Sequence, residues 1–318
     1  MMIGRSPAFV RAVRMLDRFA ACDAPVLIEG ETGTGKELAA RHVHYGGARR
    51  AGPFVPINCG AIPDALAENE LFGHERGAFT DARGESPGCV ALAHGGTLFL
   101  DEIDSLSPKG QVSLLRFLQD RTYRPLGGRT ECRADVRIVA ASNVSLEPLA
   151  DRGGFRRDLL FRIKLLYVEM PRLRAREGDV PLLAEHFLSE CSRWYAIPPK
   201  RLDLAATAWL ERQEWPGNVR ELENVVHRAV LLCEGPAIGV GDLVSDHAAT
   251  ASPAASSTQY RSAKSEAMEA FHRRFLSELI RASGGNLSSA ARLCGADRRM
   301  LGRLLKRYRI DPAAYRDA

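Results

Sequence analysis

Much that a 318-residue chain could carry is missing here, and each absence narrows the reading. No apolar run approaches the roughly 20 residues needed to cross a bilayer. The N-terminal stretch MMIGRSPAFVRAV has no apolar signal-peptide core. The seven cysteines (22, 59, 89, 132, 191, 233 and 294) are odd in number, dispersed and never spaced CxxC. That excludes a recognisable disulfide framework or zinc ribbon and points to a reducing, cytoplasmic compartment with no membrane partner. There are no internal repeats. Lysine is scarce, 6 residues among 44 basic ones, so any motif built on a lysine is unlikely to arise by accident.

What is present is ordinary in bulk, 45% hydrophobic and 26% charged, enough apolar material to bury a core. The net charge of +5 is unevenly spread: residues 263–318 hold 12 Lys+Arg against 6 Asp+Glu, or +6, which leaves 5 − 6 = −1 for the rest. A basic C-terminal piece on a near-neutral body is the electrostatic footprint of a small nucleic-acid-binding module.

Five short apolar runs, VLIEG (26–30), FVPIN (54–58), TLFLDE (97–102), VRIVAAS (136–142) and LYVEM (166–170), alternate with helical patterns. Runs of that kind predict a parallel sheet covered on both faces, an α/β fold over residues 1–170. Beyond Pro171 the pattern is helical to 243, with Val219, Leu222, Val226 and Val230 on one face. Residues 244–262, rich in Ala, Ser and Thr, read as a flexible linker, and 263–318 as a small all-α domain.

The first predicted strand runs into Gly30-Glu31-Thr32-Gly33-Thr34-Gly35-Lys36-Glu37 and then a helical pattern. This is a GxxxxGK phosphate loop: glycines let backbone N–H groups converge on phosphate oxygens, Lys36 adds a cation, and the helix N-terminus adds its positive dipole end. Chance alone would place the pattern in this chain about 0.05 times. Glu37 stands where a magnesium-binding Ser or Thr is usual. The run TLFL delivers Asp101 and Glu102 at its carboxyl end, a pair suited to holding Mg²⁺ and to activating a water against the γ-phosphate of ATP.

GETGTGKE, NCGAIPDALAENELFGHERGAFTDA, GGTLFLDEID and WPGNVRELENVVHRAV, in this order, closely resemble the AAA+ domain of bacterial enhancer-binding proteins, the activators of RNA polymerase carrying sigma-54. That resemblance extends over almost the whole chain. It implies an AAA+ P-loop NTPase with a parallel sheet flanked by helices, a helical lid subdomain over 171–243, and a C-terminal helix-turn-helix domain. In the family's loop GKE is the usual ending, which accounts for Glu37. Carried over by position, the resemblance implies that Lys36 contacts the β- and γ-phosphates, Asp101 coordinates Mg²⁺ and Glu102 polarises the attacking water. Asn58 would hold that glutamate, Asn143 would sense the γ-phosphate and Arg220 would be the lid's sensor. FRRDLLFR (155–162) is similar to the family's FRxDLxxR, making Arg156 and Arg162 fingers that reach a neighbouring subunit in a hexameric ring, with a dimer as a resting form. GAFTDA resembles the family's GAFTGA loop, with Phe79 and Thr80 touching sigma-54 and Asp81 where Gly is commonest.

At the C-terminus GGNLSSAARLCGADRRMLGRLLKRYRI resembles the Fis-type helix-turn-helix. Arg298 and Arg299, at the start of the second helix, are candidates for base or phosphate contact on upstream activator DNA. Arg303 adds charge, and Lys306 and Arg307 face phosphates. Two other readings stand beside that of an ATP-driven sigma-54 activator: a DNA-binding regulator whose nucleotide site is only structural, and a different AAA+ remodeller such as a helicase loader.

Overall fold

The computed structural model describes residues 2–78 and 84–244 and, in a second compact unit spanning 247–318, only Ile280, Ser283, Ala290 and Leu305. Phe79, Thr80 and Asp81 of the GAFTDA segment, and Arg298, Arg299, Arg303, Lys306 and Arg307, lie outside the described residues.

All five apolar runs form strands: β1 (Val26–Glu29), β2 (Phe54–Asn58), β3 (Thr97–Asp101), β4 (Arg137–Ser142) and β5 (Leu166–Glu169). They make one sheet in the order β2-β3-β4-β1-β5, parallel throughout. Side chains alternate across a strand, so the sheet feeds two cores. Leu27, Ile57, Leu98, Leu100, Ile138 and Ala140 pack on one face with the helices Pro108–Asp120 and Arg157–Ile163. Val26, Ile28, Phe99, Val139 and Val168 pack on the other against α1 (Pro7–Ala20) and α2 (Lys36–Tyr45). Being covered on both sides is why these strands read as continuous apolar runs.

Register decides where the chemistry collects. Asn58 lies opposite Asp101, Leu100 opposite Ala140, and Glu29 opposite Ser142, so the carboxyl ends of β1 to β4 finish along one edge. Ligands of open α/β sheets bind at that edge.

Two small hairpins lie beyond the sheet, Gly73–His74 with Ser86–Pro87 and Thr122–Tyr123 with Cys132–Arg133. Two backbone bonds join them, Glu75 N to Leu126 O (3.0 Å) and Leu126 N to Gly73 O (2.9 Å). The lid is formed by the helices Asp179–Trp194, Leu204–Arg212 and Asn218–Leu232, closing a core of their own around Leu183, Phe187, Trp215, Leu222 and Val226. Its first helix is fastened to the N-terminal segment. The fully buried Asp179 carboxylate accepts from Arg5 N (2.7 Å), Ser6 N (3.0 Å), Ser6 Oγ (2.9 Å) and Arg176 Nε (2.9 Å). The Arg176 guanidinium lies 4.0 Å from the Phe9 ring centre. Among the described residues no helix is long and apolar enough to cross a membrane.

Candidate nucleotide-binding site

Between β1 and α2 the chain turns through Gly33 (φ 80°) and Gly35 (φ 92°), left-handed conformations that favour glycine. At Gly33 there is a second reason: a Cβ there would run into the carbonyl oxygen of Gly217 at the start of a lid helix. Thr34 Oγ1 donates to Glu31 O (2.7 Å) and braces the turn. Lys36 opens α2 and is almost wholly buried; its Nζ donates to Gly30 O (2.7 Å), Glu31 O (3.1 Å) and Asn143 Oδ1 (2.7 Å). Burial pulls its pKa below the ordinary lysine value, and the charges of Asp101, Asp104 and Glu102 oppose that shift. Glu37 pairs with Arg41 one turn further along α2 (2.8 Å).

Across the edge, Asp101 Oδ1 accepts from Glu102 N (2.9 Å), and Glu102 takes a left-handed φ of 51° where the strand breaks into a turn. Burial raises the Asp101 pKa; the Glu102 N–H and the Lys36 charge only partly offset it. Asn143 joins the two halves: its Oδ1 accepts from Lys36, and its Nδ2 donates to Glu102 Oε1 (3.3 Å). Asn58 Oδ1 caps the following turn, accepting from Gly60 N (2.8 Å) and Ala61 N (3.1 Å), and the Glu102 carboxylate lies against Gly60 beside it. Thr32, Gly33, Gly35, Lys36, Glu37, Asp101, Glu102, Asn143 and Arg220 line one cavity of about 300 Å³. Residues more than a hundred positions apart thus surround one space, with Lys36 and Arg220 sharing its walls with four carboxylates, Glu37, Asp101, Glu102 and Glu223.

Arg156 and Arg162 do not line that cavity. Arg156 makes a two-pronged pair with its neighbour Asp158 (3.0 and 2.7 Å), while Arg162 is exposed with no ion pair among the described residues. Two features escaped sequence reasoning. A second cavity of about 250 Å³, lined by Ile3, Phe9, Leu183, Phe187 and others, shares Gly35, Leu38, Val219 and Glu223 with the first. Arg176, His186 and Glu190 line it beside those apolar residues, so its walls are polar and apolar in similar measure. IGRSP (3–7) was the available signal, but nothing in its spacing shows that it meets the lid. The other is Asn218, fully buried where the lid meets the phosphate loop.

Residues 2–169 match the model of the sigma-54 interaction domain, and 174–260 that of the AAA+ ATPase lid domain. The chain belongs to the sigma-54 interaction domain family. Among relatives in this family, the DNA-binding transcriptional regulator NtrC of Azospirillum brasilense is 50% identical over 254 residues, 80% of this chain and 52% of that protein. The regulatory protein AtoC of Escherichia coli K12 is 38% identical over 98% of this chain and 68% of its own. The crystal structure of NtrX from Brucella abortus in complex with ATP matches with a TM-score of 0.73 at 32% identity, covering 98% of this chain and 70% of that one. The chain spans about half the length of the NtrC proteins it matches. Its fold is that of an AAA+ P-loop NTPase with a lid.

Proposed function

We propose that this chain is an ATPase whose hydrolysis cycle remodels the closed complex of sigma-54 RNA polymerase into the open one, bound upstream on DNA by its C-terminal module. One observation carries the reading: Lys36, Asp101, Glu102, Asn143 and Arg220 converge on one cavity in a chain of the sigma-54 interaction domain family.

The roles follow from the groups. Lys36, already desolvated, exchanges two carbonyl oxygens and an amide for phosphate oxygens. The loop's N–H groups and the α2 N-terminus hold the phosphates. Glu102, turned into the cavity and steadied by Asn143, takes a proton from water; Asn58 stands close enough to compete for it. Among the described residues no group of three metal-ligating side chains exists. Asp101, a half-buried carboxylate that only one N–H and one lysine neutralise, fits Mg²⁺, an ion held by one or two carboxylates with phosphates supplying the rest. When bound, that ion would supply charge neutralisation at the β- and γ-phosphates. Arg162, and Arg156 once it gives up Asp158, would serve a neighbour's cavity in a hexameric ring. Phe79 and Thr80 supply the sigma-54 contact.

Transcription in vitro from a sigma-54 promoter, with purified protein and ATP, tests the reading. Open complexes should require both the protein and hydrolysable nucleotide; their formation without either refutes it. Phe79→Ala should keep ATP hydrolysis and lose open-complex formation, whereas Asp81→Gly should be tolerated.

A further inference from the structure

Helix Asn218–Leu232 begins against the phosphate loop, and the junction is unusually well bonded. Asn218 Nδ2 donates to Thr32 O (3.0 Å) and Glu31 Oε2 (3.2 Å), and its Oδ1 accepts from Leu173 N (2.8 Å), where the chain enters the lid. Val219 N donates to Gly33 O (3.0 Å). The other oxygen of Glu31 pairs with Arg172 Nε (3.1 Å). Three consecutive loop residues, 31 to 33, are therefore tied to two parts of the lid region: its entry at Arg172 and the helix that carries Arg220. Asn218 sits at φ 54°, a left-handed position that Asn tolerates far better than a bulky or branched residue, and its buried amide is fully used.

The same loop residue faces the other way too. The Glu31 carbonyl accepts from Lys36 Nζ (3.1 Å), and its side chain holds Asn218 and Arg172. A phosphate in the cradle draws Lys36 Nζ off that carbonyl, because an anion outcompetes a neutral acceptor for an ammonium. The Glu31 carbonyl then keeps only its bonds from Thr34 Oγ1 (2.7 Å) and Thr34 N (3.3 Å) on the cradle side, while the Glu31 side chain stays held on the lid side.

We propose that Glu31, Asn218 and Arg172 form a clamp that transmits phosphate occupancy from the loop to the lid and so positions Arg220 over the cavity. This rests on the chain being an ATPase, and it adds a route that does not pass through Arg220 itself. The three act as positioning residues; none touches the phosphates through its side chain.

The test uses the full chain. Asn218→Asp keeps size and left-handed tolerance but replaces the donor with an acceptor facing Thr32 O and the Glu31 carboxylate. Glu31→Ala removes the clamp's centre, and Glu31→Gln keeps an acceptor for Asn218. Steady-state ATPase kinetics should show KM for ATP raised about tenfold or more in Asn218→Asp and Glu31→Ala, the scale of one or two lost hydrogen bonds. The fall in kcat should be smaller, and Glu31→Gln should recover most of the loss. Hydrogen exchange in the wild type should show ATP changing the protection of the Leu173 and Val219 amides, and Glu31→Ala should abolish that change. KM within twofold of wild type in both variants, or an ATP response at those amides that persists in Glu31→Ala, overturns the clamp. A wild type that does not hydrolyse ATP overturns the proposed function instead, and the two failures are read separately. If Asn218→Asp only weakens lid folding, melting falls while the folded fraction keeps its KM, which also counts against the proposal.

Discussion

Asp179 and Asp101 are both aspartates taken largely out of water, and the protein treats them in opposite ways. Burial alone would push either carboxyl upward, but at Asp179 the bonds from Arg5 N, Arg176, and Ser6 outweigh it and hold the pKa below its ordinary value of 3.8. At Asp101 burial prevails and the pKa lies above 3.8. A carboxylate satisfied on every side is a fastener. One left short of partners on a cavity wall is suited to a cation, the role proposed for Asp101. Electrostatic neglect is what separates the acid proposed to work from the structural one.

Removing the fastener should cost the fold most. Asp179→Ala leaves Arg176 buried and unpaired, and loss of one partner of such a pair typically costs about 3–5 kcal/mol. Thermal or denaturant unfolding should show that loss. Next in size is the acid beside Asp101: Glu102→Gln should bind ATP as the wild type does while turnover falls about 10²-fold or more. ATP binding with unimpaired turnover would mean the base lies elsewhere.

Asp101→Asn sharpens the contrast through pH. A depressed Asp179 contributes stability that is present above 3.8 and lost as pH falls below it. A raised Asp101 is the reverse: its charge costs stability at neutral pH, and that cost disappears as pH falls through its folded pKa towards 3.8. Nucleotide-free Asp101→Asn should therefore melt a few degrees higher than the wild type at about pH 7. The two should converge in acid, while added Mg²⁺-ATP should stabilise only the wild type strongly. The smallest effect concerns Cys59. Its thiol is pushed up to about 12 by burial and by the charges of Asp101, Asp104 and Glu102. Alkylation at about pH 8 should mark the exposed Cys22 at least about 100-fold faster than Cys59. Asp101→Asn should narrow that gap slightly.

Much of this was legible in the sequence, for identifiable reasons. Strands buried on both faces announce themselves, so 26–30, 54–58, 97–102, 136–142 and 166–170 were placed within a residue or two of their ends. The GxxxxGK loop and the acid pair were visible because each is local. The Ser6–Asp179 and Asn218–Thr32 contacts were not, because partners 173 and 186 positions apart leave no periodicity. The two hairpins escaped because strands of two residues are too short to alternate. Asn58 shows the other limit: the resemblance implies that it holds Glu102, a turn cap being the alternative reading, and in the structure its Oδ1 caps the turn at Gly60 and Ala61.

The pair of backbone bonds between Gly73–Glu75 and Leu126 has a mechanical consequence. Any load on residues 79–83 enters the described body through Ala78 and Gly84, at the mouth of the first hairpin. Because Leu126 both gives and accepts a bond there, the second hairpin is coupled to the first and shares the pull. Force reaching this corner is divided between two stretches of chain before it meets the sheet.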